Sequence, residues 1–148
     1  GVAVKASDRA ILLAGALTPP DDVAAKALPK AVTLDVGTDA AELAFVHATA
    51  FAARNGEVVG QYRVAYGDGT EAVVPLAYGQ NVRAWDDLGA TPDAVLAWAG
   101  RTGLGQAVGV RLFRWTNPHP ERPIARVSFE ADHPFASPAL FALTAIGR

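Results

Sequence analysis

The alternation of apolar and polar residues is clearest between residues 58 and 85, VVGQYRVAYGDGTEAVVPLAYGQNVRAW, and it predicts a β-hairpin. A three-residue loop at 67–69 pairs Tyr62 with Val74 and leaves one face of the hairpin apolar throughout. A two-residue loop would slip the register by one residue and turn every side chain to the other face. We therefore predict the longer loop, with Gly69 supplying the positive φ of a bulged turn.

Further strands follow from the same pattern along the rest of the chain. Residues 43–51 are apolar on both parities, which predicts a central strand covered on both faces. Residues 94–101 follow a possible helix start at Thr91, but Gly100 ends the apolar run early, so we favour a strand. One helical turn is predicted at 22–28, before Pro29. The remaining predicted strands are residues 10–14, 31–36, 107–116, 124–131 and 140–146.

These eight or nine strands, with turns about every ten residues, predict an all-β fold. Two packed antiparallel sheets forming a β-sandwich fit best, and we favour the jelly-roll version. Pro75 lacks a backbone donor, which places its strand at a sheet edge or a bulge. The 148 residues suit a single domain. The start at Gly1 without methionine suggests a processed product or a fragment cut from a longer multidomain protein.

Composition narrows the function classes. The formal net charge is −2 and the 13 lysines and arginines are scattered, so a nucleic-acid partner is not expected. The absence of cysteine excludes disulfides, thiol catalysis and thiolate metal sites. No apolar run approaches the roughly 18 residues of a membrane span, so none is predicted.

The motifs of common enzymes are missing from this sequence. No serine lies in a Gly-x-Ser-x-Gly turn, and the three histidines lack a metal-binding spacing. His47 is interpreted as a hydrogen-bonded core residue. Asp86 and Asp87 are adjacent, whereas a glycosidase needs two acids about 5 or 9 Å apart, so a solvated turn is favoured. We expect no catalytic residues, no metal ligands and no cofactor, and a calcium ion held by loop oxygens stays open.

Two loops, residues 78–85 and 115–122, mix aromatic rings with amide, guanidinium or imidazole groups. Ring faces for stacking and directional hydrogen-bonding groups are what a sugar site uses. The alternative is structural, since tryptophans pack cores and asparagines bond their own backbone in loops; the residues alone favour this alternative. The candidate ligand-binding residues are Tyr78, Asn81, Arg83, Trp85, Asn117 and His119.

The strings GQYRVAYGDGTEAVVPLAYGQNVRAW and LFRWTNPHPERPIARVSFE, preceded by the histidine-containing strand at 44–48, resemble a known group. They are similar to the galactose-binding-like jelly-roll modules of secreted bacterial glycoside hydrolases and other exported proteins. The resemblance covers about residues 34–146, and its most specific part is the Trp-x-Asn-Pro-His-Pro loop. Where such modules commonly have a doubled aromatic, this chain has Trp85-Asp86.

The resemblance implies a noncatalytic, carbohydrate-binding-module-like accessory domain carried beside a catalytic domain, in an extracellular or periplasmic protein. We expect weak binding of an oligo- or polysaccharide by the two loops, which would meet at one end or edge of the sandwich. The alternative is a structural domain without a small ligand, which docks on a neighbouring domain of the same parent chain through an apolar patch.

Overall fold

A computed structural model of the chain describes residues 10–15 and 28–147. These residues form strands and loops, and no helix occurs among them. The nine strands are β1 (Ile11–Leu12), β2 (Ala31–Thr38), β3 (Glu42–Thr49), β4 (Val58–Tyr66), β5 (Glu71–Ala77), β6 (Ala94–Arg101), β7 (Ala107–Thr116), β8 (Ile124–Ala131) and β9 (Pro138–Ile146).

The strands form two sheets that pack face to face as a β-sandwich. The five-stranded sheet has the order β1-β9-β3-β7-β6, and the four-stranded sheet has the order β2-β8-β4-β5. All neighbouring strands are antiparallel. The all-β, two-sheet prediction is confirmed, and the jelly-roll topology in particular stays a prediction.

The predicted hairpin is formed by β4 and β5 in the predicted register. Tyr62 lies opposite Val74, and the backbone N–H of Tyr66 donates to the Thr70 carbonyl at 2.9 Å. Gly69 has a φ of 85°, which an L side chain rarely adopts. The edge position predicted from proline is also confirmed, because β5 is the last strand of the four-stranded sheet.

The other strand predictions hold with small changes at their ends. β6 and β7 have the predicted bounds, and β9 begins two residues earlier than predicted. The predicted central strand is β3, between β9 and β7, although its outer face is only partly covered, since Val46 is half-buried. The predicted helical turn at 22–28 lies outside the described residues except for its last position.

Aromatic rings from both sheets form the centre of the core. Phe45 of β3 stacks on Tyr62 of β4 with ring centroids 3.9 Å apart, and Tyr62 stacks on Phe129 of β8 at 5.1 Å. His47 and Phe113 lie beside this column, with their centroids 5.9 Å apart. Because buried rings of this size contribute much of the apolar area of a core, truncating one to alanine is expected to cost about 3–5 kcal/mol.

His47 is a hydrogen-bonded core residue, as predicted, and it connects three parts of the fold. Its Nε2 lies 2.8 Å from the carbonyl oxygen of Asn81, and its Nδ1 lies 2.8 Å from the Tyr62 hydroxyl. Because a carbonyl oxygen can only accept, Nε2 carries the proton and Nδ1 accepts from Tyr62. Burial raises the pKa of Tyr62 well above its usual value, so its hydroxyl keeps the proton that it donates.

Protonation of His47 is predicted to make the fold sensitive to acid. Burial lowers the pKa of His47 to about 4; the hydrogen bond to Asn81 opposes this shift, and the charge of Arg111 adds to it. Between pH 6.5 and 4, the unfolded chain therefore binds a proton at residue 47 that the folded chain does not bind. The free energy of unfolding should fall as the pH is lowered through this window, by about 3 kcal/mol at its lower end.

Urea unfolding at several pH values would measure this dependence. His47→Gln should lower stability at neutral pH and remove this part of the pH dependence. The matched control is His119→Gln, because His119 is half-exposed at the surface, and this variant should keep the wild-type dependence. An unchanged pH dependence in His47→Gln would contradict the assignment.

Candidate functional site

The two predicted loops lie at opposite ends of the sandwich. Trp85 lies beside the last residue of β3, because its backbone N–H donates to the Thr49 carbonyl at 2.9 Å. Asn117 lies at the start of β3, where its backbone N–H donates to the Ala41 carbonyl at 2.9 Å. The intervening strand separates the loops by about 25 Å. The expectation that they meet in one site was therefore wrong, and we call the two regions the Trp85 end and the Asn117 end.

Asn81 shapes the loop at the Trp85 end from within. Its side-chain Oδ1 accepts from the N–H of Ala77 at 3.0 Å, and its Nδ2 donates to the Pro75 carbonyl at 3.0 Å. Nearby Gly79 has a φ of 79° and lies against the Asn55 side chain, where a Cβ would collide. Asn81 is buried and has both side-chain groups occupied, so its role is to fix the loop.

Tyr78 and Arg83 bond to Asp87 in the same loop. The Tyr78 hydroxyl donates to Asp87 Oδ2 at 3.0 Å, and Arg83 Nη1 donates to the same oxygen at 2.8 Å. Arg83 Nε donates to the Ala90 carbonyl at 3.1 Å. Arg83 is thus held by its own loop. The predicted solvated turn is wrong for Asp87, which is half-buried and accepts from three groups, the third being the N–H of Gly89 at 2.9 Å.

The charge of Asp87 is stabilised by its partners. Burial acts to raise the pKa of Asp87, but the hydrogen bonds from Gly89, Arg83 and Tyr78 outweigh it and lower the pKa. The carboxylate therefore stays ionised at neutral pH. Asp86, its exposed neighbour, makes a single long contact of 3.4 Å from Gln106 Nε2.

Arg111 lies beneath this loop and was missed in the sequence. Only 2% of it is exposed, and its Nη2 donates to the Gly89 carbonyl. Its Nη1 is buried without a hydrogen-bond partner in the described part of the chain. Burial lowers the pKa of Arg111, as does the charge of Arg83, whereas Asp87 opposes the shift. The sequence did contain a signal for its burial: Arg111 is two residues before Phe113 on β7, so the two side chains lie on the same inward face of the strand.

Trp85 offers a solvent-accessible ring at this end. Its indole is 38% exposed, and its Nε1 donates to the Ala50 carbonyl at 3.1 Å, which fixes the ring orientation. Phe51, the residue after Ala50, is also exposed. Asp86, the next residue after Trp85 in the chain, contacts Gln106, so a carboxylate and an amide lie together beside this position. This group of residues combines exposed rings with exposed polar atoms.

The Asn117 end is mainly scaffold. Asn117 is buried; its Oδ1 accepts from the Tyr66 hydroxyl at 2.7 Å, and its Nδ2 donates to the Ala40 carbonyl at 2.8 Å. His119 packs edge-on against Tyr66, and its Nδ1 lies 3.7 Å from Glu121 Oε1. A cavity of about 390 Å³ at this end is lined by Asp39, Ala40, Glu121 and Gly147.

Of the six predicted ligand-binding residues, only Trp85 and His119 present substantial ring surface to solvent, and they lie at different ends. The other four are occupied by the protein's own hydrogen bonds: Tyr78, Asn81, Arg83 and Asn117. The second large ring of the Asn117 loop, Trp115, is half-buried against the core. The structural interpretation of these loops is therefore correct for most of their polar residues.

The outer face of the five-stranded sheet is a separate surface with two halves. In one half, register places Val95, Leu112, Val46 and Ala142 in one row across β6, β7, β3 and β9. Trp98 lies opposite Val110 in the adjoining row, and the exposed Phe141 lies at a β9 bulge next to Ala142. The other half contains the ion pair between Arg114 and Glu42. We call the first half the apolar outer face.

No protein-family model, curated protein or solved structure matches this chain. The resemblance to galactose-binding-like modules therefore stays a prediction. In the ranges 10–15 and 28–147, no group of three or more histidine, aspartate or glutamate side chains is placed to hold a metal ion. The same ranges contain no helix of the length and apolar character that a bilayer crossing requires.

Asp87→Asn is predicted to destabilise the Trp85 end. The substitution removes the carboxylate that is ion-paired with Arg83 and whose charge also acts on the nearby Arg111, and it replaces one acceptor oxygen by a donor. Because a third of the Asp87 side chain is exposed, we expect a loss of only about 1–2 kcal/mol. Asp86→Asn is the matched control and should change stability by less than about 0.5 kcal/mol. Chemical denaturation of both variants measures the difference, and equal effects would disprove the role of Asp87.

Proposed function

We propose that this β-sandwich is a noncatalytic carbohydrate-binding module that takes an oligo- or polysaccharide weakly at the Trp85 end. The observation that carries the proposal is the Trp85 indole, which is exposed and held in one orientation by the Ala50 carbonyl. A ring that is already fixed loses little side-chain entropy when a sugar stacks on it. The resemblance to modules of secreted glycoside hydrolases supports the same class of ligand.

Polar groups beside the ring would supply directional hydrogen bonds to the sugar. Asp86 and Gln106 are exposed and in contact with each other, so a carboxylate and an amide are available to sugar hydroxyls. Phe51 adds a second exposed ring next to Ala50. The proposed site is smaller than the two-loop site, since His119 and Asn117 lie at the other end. A small, solvated site of this kind fits dissociation constants from micromolar to millimolar, about −8 to −4 kcal/mol.

The test is a glycan array followed by titration calorimetry on the isolated domain. Plant, algal and host glycans should include at least one ligand, and Trp85→Ala should weaken its binding about tenfold, the value of one stacked ring. His119→Ala is the matched control, because it removes an exposed ring at the opposite end, and it should bind as the wild type does.

Two outcomes would overturn this proposal. Undiminished affinity in Trp85→Ala would remove the site from this end of the sandwich. No detectable binding to any of the three glycan classes would leave the domain without a carbohydrate ligand.

The apolar outer face favours a second candidate function, docking on a neighbouring domain of the same parent chain. Val95, Leu112 and Val46 continue across three strands in one row, and Phe141 and Trp98 are exposed beside it. A contiguous apolar patch on a sheet face is typical of a surface that another protein surface covers. A domain of this kind would position its neighbour and need no small ligand.

Side-chain footprinting by hydroxyl radicals distinguishes this candidate. Leu112 and Phe141 should be modified less in the full parent protein than in the isolated domain, while Leu104, which is fully exposed on the β6–β7 loop, should react equally in both. Equal modification of Leu112 in the two samples would exclude docking through the apolar outer face.

A further inference from the structure

The β6 edge differs from the other three sheet edges. Exposed strand edges invite pairing with another chain, and proteins usually block them with short strands, charges, proline or β-bulges. β1 has two residues, β2 carries the exposed Asp35, and β5 contains Pro75. β6 has eight residues, AVLAWAGR, and no charge or proline before its last position; its one edge-blocking feature is a bulge between Leu96 and Trp98, which leaves Val95 and Trp98 on the same face.

Both faces of β6 are exposed and apolar. Val95 is 63% exposed and Trp98 58%, and Leu96 is exposed on the opposite face from these two. The Trp98 indole lies over Gly100, where a Cβ would collide with the ring. The strand therefore presents apolar side chains on each side of an edge that no strand in the described ranges covers.

The backbone groups on this edge include those of Ala99. Gly109, which lies opposite Ala99 on β7, donates its N–H to the Trp85 carbonyl on the far side of β7. The N–H and C=O of a strand residue point to the same side, and opposite residues of a non-bonded pair point away from each other. The N–H and C=O of Ala99 therefore point away from β7, toward the open edge.

We propose that two copies of this chain associate through antiparallel pairing of their β6 strands, which joins the two five-stranded sheets into one. A two-fold axis between Leu96 and Ala97 places Val95 of each copy opposite Trp98 of the other. Both side chains lie on the outer face, so this register makes the outer faces of the two sheets continuous. It also places Ala94 opposite Ala99, a pair of small side chains on the inner face.

The charges at the two ends of β6 select a second copy as the partner. Asp93 precedes the strand and accepts from Gln80 Nε2, and Arg101 ends it and donates to the Gly105 carbonyl; both residues are exposed. In an antiparallel self-pair of this register, Asp93 of each copy comes within one residue of Arg101 of the other. A parallel self-pair would instead bring like charges together, which disfavours it.

Sedimentation velocity over about a hundredfold range of protein concentration tests the proposal. The wild type should shift with concentration from 15.4 kDa toward twice that mass. Val95→Lys should stay at the monomer mass, because a lysine on an edge strand opposes pairing with another strand edge. Val73→Lys is the matched control, since Val73 is also exposed on an edge strand, the proline-containing β5, and it should dimerise as the wild type does.

A backbone variant makes the result independent of side-chain charge. Ala99→Pro removes the donor that faces the open edge and should also stay monomeric, with its far-UV spectrum confirming that it is folded. A wild type that stays monomeric at every concentration would overturn the proposal. A dimer that persists in both Val95→Lys and Ala99→Pro would overturn it too and place the contact on another surface. Trp85→Ala should dimerise normally, which separates this result from the carbohydrate proposal.

Discussion

The neutral, doubly hydrogen-bonded ring of His47 is the constraint on which most of the structure depends. Its Nδ1 accepts from Tyr62, so one bond joins the two sheets across the core. Its Nε2 donates to Asn81, so the other bond joins the core to a surface loop. A buried imidazole is tolerated only when both nitrogens are satisfied and no charge is present. The sandwich and the loop at the Trp85 end therefore depend on one protonation state.

That dependence explains why the loop residues serve the fold more than a ligand. Asn81 holds the loop backbone from inside while its carbonyl serves His47. Arg83 and Tyr78 then share the carboxylate of Asp87. Each polar group that fixes the loop is already bonded within the protein, so the proposed carbohydrate site depends on the ring of Trp85 and the polar groups next to it.

Local pattern predicted the strands well because a strand's register follows from short-range alternation. The β4–β5 pairing followed from which residues must share a face, and β6 was favoured over a helix because Gly100 ends its apolar run early. The relative position of the two loops depends instead on sheet order, which long-range pairs such as β3 with β7 decide. No local pattern encodes that order. Arg111 was missed for the same reason, since its partner Gly89 is brought to it by the packing of a loop on a distant strand, whereas the partners of Asp87 all lie within nine residues of it.

On the outer face of the five-stranded sheet, the apolar residues and the charged residues lie in separate halves. Apolar rows that include Leu112 occupy one half, and the Arg114–Glu42 ion pair lies in the other half, toward the Asn117 end. A partner with a uniformly apolar surface would desolvate that ion pair if the partner were shifted along the strands or rotated by about 180° on this face. In the proposed docking on a neighbouring domain, the ion pair would therefore restrict that domain to a single orientation on this face.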